Sequence, residues 1–138
     1  MFGWDTDDYR DREQEAAARL RQAHPDIGGV NVACRAGWIP LVDDLLTEME
    51  AALPAGHRIV FVSAGEKLAA LRFRWRIEPP LGRDASALFD AAEERAWRRS
   101  VRTCEVCGGP GRVLRYPSGW FVARCEAHAE GAKPWEEK

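Results

Sequence analysis

Two residue pairs near the C-terminal end, Cys104-x2-Cys107 and Cys125-x2-His128, constrain this chain more than any other feature. Two intervening residues let one tight turn aim both donors of a pair at a single point, and seventeen residues separate the pairs. Three thiolates with an imidazole are a usual donor set for structural zinc, which takes four such ligands tetrahedrally. The run Gly108-Gly109-Pro110-Gly111 suits a knuckle, where small residues let backbone amides approach the thiolates. Between the pairs, RVLRY and WFVAR flank the turn signal Pro117-Ser118-Gly119, so the linker reads as a β-hairpin. Knuckle, hairpin and then ligands at the start of a short helix describe a treble-clef zinc finger, with a zinc ribbon as the close alternative. Redox chemistry, the rival use of a CxxC pair, would not require Cys125 and His128 at matched spacing. A catalytic zinc keeps one position open for water, whereas four protein ligands close the site. The expectation is one structural zinc ion on Cys104, Cys107, Cys125 and His128.

Upstream of the pairs the hydrophobic period changes several times. Residues 7 to 23 predict a helix with a thin apolar face of Tyr9, Ala16, Leu20 and Ala23, ending before His24-Pro25. Residues 25 to 37 read as a loop with at most a brief strand. In IPLVDDLLTEMEAALP, the residues Leu41, Val42, Leu45, Leu46, Met49, Ala52 and Leu53 share one helical face, so a core helix is expected between Pro40 and Pro54. RIVFV at 58 to 62 predicts a strand buried on both faces. LRFRWRI at 71 to 77 alternates strictly, with Leu71, Phe73, Trp75 and Ile77 inward and Arg72, Arg74 and Arg76 outward. Ser63 to Lys67 is the expected hairpin connection. A third helix, capped by Asp84 or Ser86 and packed by Leu88, Phe89, Ala92 and Ala96, runs to about Ser100. The fold class is therefore α+β: a small antiparallel sheet covered by helices, followed by a treble-clef or zinc-ribbon-like module. The expected divisions are residues 1–100, a zinc module at 101–130 and a polar tail at 131–138 that Trp135 can dock.

The matches that extend beyond the metal ligands are Cys34, Gly37, Trp38 and Leu41; Glu66, Lys67, Leu71, Arg72 and Phe73; and Ser100, Thr103, Gly108, Pro110, Gly111 and Trp120. On these residues the chain resembles a family of small uncharacterised proteins of bacteria and their phages. Its pattern runs C-x-x-G-W-x-x-L, then K-E-K-F-G-G-L-R-F, then S-x-x-T-C-x-x-C-G-x-P-G…W…C-x-x-H. The resemblance covers roughly residues 30 to 130. It departs at Gly65, Leu68 and Ala69-Ala70, where the pattern has Lys, Phe and Gly-Gly. It implies a zinc site and one continuous fold, and it implies no reaction.

Charge is unevenly spread. Residues 1 to 50 hold 11 acids and 5 bases, whereas residues 95 to 124 hold 7 arginines and 1 acid. Arg72, Arg74 and Arg76 form the first candidate surface for an anionic partner, because period two sets three guanidinium groups on one strand face, about 7 Å apart. Arg112, Arg115 and Arg124 are further anion- or nucleic-acid-binding candidates, with Arg95, Arg98, Arg99 and Arg102 as extensions and Trp120 or Tyr116 offering stacking. The competing reading is a solvated face neutralised by carboxylates of the first helix. Cys34 reads as a buried structural thiol, and His24 and His57 as solvated. The carboxylate pairs Asp43-Asp44 and Glu93-Glu94 point in different directions on their helices and read as ordinary polar-face residues.

The acidic N-terminal stretch MFGWDTDDYRDREQE has neither the basic nor the apolar region of a signal peptide, and no apolar run approaches the length of a membrane span. A cytoplasmic location with reduced cysteines is expected, which favours metal over disulfides. The leading functional expectation is a zinc-stabilised, non-enzymatic binding or adaptor protein with a protein partner, including a phage or mobile-element protein that blocks a host factor. The alternative is a nucleic-acid binder using the arginine face. A treble-clef nuclease ranks third, because the paired His and Asn or Asp such chemistry needs are missing near the hairpin. No membrane partner is expected.

Overall fold

Alternation in the chain becomes a sheet, and the helical stripes become its cover. The computed structural model describes residues 7 to 135. Helix α1 (Asp7–Ala23) is followed by β1 (Val30–Val32), a 3-10 turn at Ala36–Trp38 and helix α2 (Ile39–Ala52). Strands β2 (Arg58–Lys67) and β3 (Ala70–Glu78) then form an antiparallel hairpin, and α3 (Arg83–Ser100) packs back on β3. Strand β1 joins β2 in parallel, Val30 opposite Val62, so the sheet β1-β2-β3 is mixed rather than wholly antiparallel. The physical reason is α2, which supplies the crossover that parallel neighbours require.

The core lies between this sheet and helices α2 and α3. Leu41, Val42, Leu45, Leu46 and Met49 from α2 meet Ile59, Val62, Leu71, Phe73 and Ile77 from the strands. Trp75 and Phe89 of α3 pack edge-on, ring centroids 5.4 Å apart. Among the described side chains of α1 only Ala17 and Leu20 are buried; of the expected stripe Tyr9 and Ala16 are half-buried and Ala23 is exposed, so the buried face is centred one residue along, on Ala17.

Several sequence expectations shift. Strand β2 runs through Ser63–Lys67, so the hairpin turns at Leu68-Ala69, both with positive φ (53° and 65°). That left-handed pair is the geometry normally carried by Asn-Gly, so Leu68-Ala69 gives no turn signal in the sequence, which places the connection at Ser63 to Lys67 instead. The Ala69 amide is held by the Glu66 carboxylate at 2.8 Å. RIVFV is buried on one face only: Ile59 and Val62 face the core, and Phe61 is 40% exposed. Leu88 is 58% exposed and packs no core, and Gly82 caps α3 without a side-chain bond from Asp84 or Ser86.

The C-terminal strands form a second sheet, ordered β5-β4-β6, from β4 (Arg112–Arg115), β5 (Phe121–Arg124) and β6 (Lys133–Pro134). The second ligand pair opens a 3-10 turn, Glu126–His128, and the chain returns as β6. Three strands with no α-helix among the described residues after the knuckle make a ribbon rather than a treble clef. The segment after residue 130 is not a free tail over its described part: Pro134 lies opposite Leu114, and Trp135 packs edge-on against Phe121 at 5.4 Å. Ala123 belongs to the main core, and Val113 and Phe121 pack against it, so residues 101 to 130 share a core with the first sheet. Among the described residues no helix is long and apolar enough to cross a membrane.

Candidate metal centre

The first ligand pair sits on a knuckle closed by its own backbone. The Cys104 amide donates to the Gly109 carbonyl at 2.8 Å, and the Gly108 amide donates to the Cys104 carbonyl at 2.9 Å. Gly108 takes φ +80°, the left-handed conformation that makes glycine the natural residue there. The Gly109 amide then points at Cys107 Sγ, 3.4 Å away. The second pair is set by the 3-10 turn, whose His128 amide donates to the Cys125 carbonyl at 3.1 Å.

These two turns bring the donors of Cys104, Cys107, Cys125 and His128 within 4.8 Å of one another, a group that could hold a metal ion. Cys107 Sγ and Cys125 Sγ are 3.8 Å apart, and His128 Nδ1 lies 3.7 Å from Cys104 Sγ and 3.1 Å from Cys125 Sγ. Burial pushes the Cys104 thiol up, but the amides of Cys107, Cys125 and Val106 outweigh it and hold the thiol below its ordinary range. Amides aimed at sulfur favour thiolate, the form a metal binds.

A second layer fastens the knuckle to the fold. The Gly37 amide donates to the Glu105 carbonyl at 2.8 Å, and Trp38 Nε1 donates to the Thr103 carbonyl at 2.9 Å. A Cβ on Gly37 would lie 2.2 Å from the Cys104 carbonyl oxygen, so only glycine fits. Tyr9 of α1 packs on the cluster of Cys104, Val106 and Cys125. Glu105 and Arg124, both buried, form an ion pair in which Nε and Nη2 reach one carboxylate oxygen at 3.0 and 2.7 Å. Arg124 Nη1 also donates to the Tyr116 hydroxyl at 3.0 Å. Burial raises the Glu105 carboxyl above its ordinary range, with Arg124 opposing.

The arginine candidates divide into distinct groups. Arg72, Arg74 and Arg76 are exposed on the outward face of β3 as expected, and Arg112 and Arg115 are exposed on β4. Arg124 is instead consumed by Glu105 and is not presented to an outside anion. Arg95, Arg98 and Arg99 do not extend the stripe, because they bridge to Glu48, Glu94 and Asp44 on the helical side. Arg115 lies over the Phe121 ring, 5.6 Å from its centroid.

Cys34 is buried as expected, and burial pushes its thiol up to about 12, which leaves it unreactive at neutral pH. His24 is not solvated: it is 4% exposed and bonds Asp43 through Nε2 at 2.6 Å and Glu50 through Nδ1. His57 Nδ1 lies 2.7 Å from the Pro79 carbonyl. Sequence reasoning missed both the Glu105–Arg124 pair and the His24 clamp, though signals existed. Glu105 is the one acid among residues 95 to 124, and Asp43 and Glu50 lie seven residues apart, two helical turns along one face. Compared with known family models, curated proteins and solved structures, the chain matches none.

Proposed function

We propose that this chain is a zinc-stapled, non-enzymatic binding protein. The observation that carries the reading is the convergence of four protein donors, three sulfurs and one imidazole nitrogen, on one point. Zinc bonds of about 2.3 Å to sulfur and about 2.0 Å to nitrogen give tetrahedral edges of about 3.8 Å between sulfurs and about 3.5 Å from sulfur to nitrogen. The observed 3.8 Å and 3.7 Å separations fit those edges, while the 3.1 Å pair would open slightly. Cys104, Cys107, Cys125 and His128 would fill the shell and leave no position for a water nucleophile, so the ion's part is to hold the knuckle and the 3-10 turn together. The working surface is then elsewhere, on the face of the first sheet turned away from the helices.

Cobalt substitution tests the staple. The cobalt form should show the intense visible bands of a tetrahedral thiolate site, unchanged by an added anionic ligand such as azide. Bands that shift with azide would reveal an open coordination position and overturn the structural reading.

A further inference from the structure

Carboxylates engage several arginines of this chain, but they leave the β3 row almost unpaired. The α3 arginines pair with Glu48, Glu94 and Asp44, Arg35 pairs with Glu13, and Arg124 pairs with Glu105. Arg72 and Arg74 have no carboxylate within ion-pair distance among the described residues, and Arg76 has only Glu78 at 3.8 Å, at a side-chain exposure of 70%. Among the described residues no first-helix carboxylate lies within ion-pair distance of this row, and α1 packs on α2 and the 36–38 turn.

The register shows what stands beside these arginines. Arg76 lies opposite Phe61, Arg74 opposite Ser63 and Arg72 opposite Gly65, and Asn31 of β1 continues the middle row past Ser63. Directly opposite residues of a sheet share a face. The outward surface is therefore a line of three guanidinium groups beside two small residues, with a 40% exposed aromatic ring at one end and no acid in any of the three rows. Carboxylates are instead concentrated on the helical side.

Resting on the binding-protein reading, we infer that this face binds single-stranded nucleic acid. Arginines at alternate positions of a strand sit about 7 Å apart. A flexible single strand can match its phosphates to that step and still lay a base on Phe61. Charge alone would suit an acidic peptide equally. The exposed Phe61 ring, with nothing closer than 4.0 Å to a Cβ built on Gly65, adds a stacking surface that bases fill and carboxylate side chains do not. A duplex meets a flat sheet with few phosphates and offers no unstacked base.

The test is fluorescence anisotropy on the full, metal-loaded chain, with labelled oligo-dT, a duplex of the same length and a poly-glutamate peptide. Three phosphate contacts on a single strand predict that oligo-dT affinity falls about twentyfold between 50 and 200 mM salt. Arg72→Gln/Arg74→Gln/Arg76→Gln should lose at least tenfold and flatten that slope. Phe61→Ala should lose about fivefold or more with the slope unchanged. Arg95→Gln/Arg98→Gln/Arg99→Gln, with the same change in charge, should bind within about twofold of wild type. Melting curves confirm that each variant is folded, and single Arg→Gln variants replace any triple that is not. No binding at 50 mM salt, equal losses in the two triple variants, or preference for the duplex would overturn the inference. Poly-glutamate held more tightly through the same arginines would sink the nucleic-acid assignment and leave the binding reading standing. A cobalt site open to azide would sink that reading without altering this titration.

Discussion

At the scale of single residues, the Cys104–Cys107 knuckle is held by positions outside the four candidate donors. Gly37 is the sharpest case, since any side chain there drives into the Cys104 carbonyl and the Glu105 backbone. Backbone cannot rotate aside as a flexible side chain can, so Gly37→Ala should cost about 3 kcal/mol. Gly82→Ala, with nothing within 4 Å of the new methyl, should stay within about 1 kcal/mol of wild type. Urea unfolding of the two variants checks this, and equal midpoints would contradict it. The Glu105–Arg124 pair makes a second residue-level prediction. Arg124→Leu strands a buried carboxylate and should cost about 3 to 5 kcal/mol, whereas Glu105→Leu/Arg124→Leu should recover most of that loss. A double variant as unstable as the single one would show that the pair is not a unit. The ligand spacing made the four donors legible in sequence. This ion pair was not, because a lone Glu among arginines reads as surface until its partner is known to be buried.

Elements carry the next level, and here α1 is the weakly held one. Its buried contribution is Ala17 and Leu20, so its attachment leans on polar contacts: Arg35 with Glu13, and His24 between Asp43 and Glu50. Burial lowers the His24 pKa, but the two carboxylates of α2 raise it by more, and the net shift is upward from 6.5. A folded-state value above the unfolded one stabilises the protein fully below about pH 6.5, and the contribution fades as pH rises through the folded value. The stability difference between wild type and His24→Gln should therefore be largest near pH 6 and shrink in alkaline buffer, as read from thermal melts. A difference independent of pH would show that the imidazole is not clamped as a cation. Periodicity made α2 and β3 readable, because each presents one continuous apolar face. It misplaced the β2–β3 turn, because Leu68 and Ala69 adopt positive φ without the residues that usually announce it. Nor could it reveal that β1 pairs in parallel, since three residues carry no directional signal and α2 reads the same in either arrangement.

For the whole molecule, the two sheets are one structure, joined beside the Cys104, Cys107, Cys125 and His128 cluster. Trp38, fully buried, reaches from the start of α2 to the Thr103 carbonyl, and Ala123 of the ribbon sits in the main core. A boundary at residue 100, where α3 ends and the ligand module begins, therefore marks a change of local structure, within a core that continues across it. Metal removal should then strip amide protection from residues 101 to 130 and from the 36–38 turn, and loosen the start of α1 through Tyr9. The β2–β3 hairpin should outlast them, because its core face is covered chiefly by α2 and α3, with the ribbon adding Ala123, Val113 and Phe121. All of this depends on the Cys104, Cys107, Cys125 and His128 site being occupied by one zinc ion in the native protein. Native mass spectrometry of chain purified without added metal measures that directly. The predicted spectrum shows one zinc per chain in the wild type and none in Cys125→Ser; a folded, metal-free wild type with free thiols at 104, 107 and 125 would contradict the account.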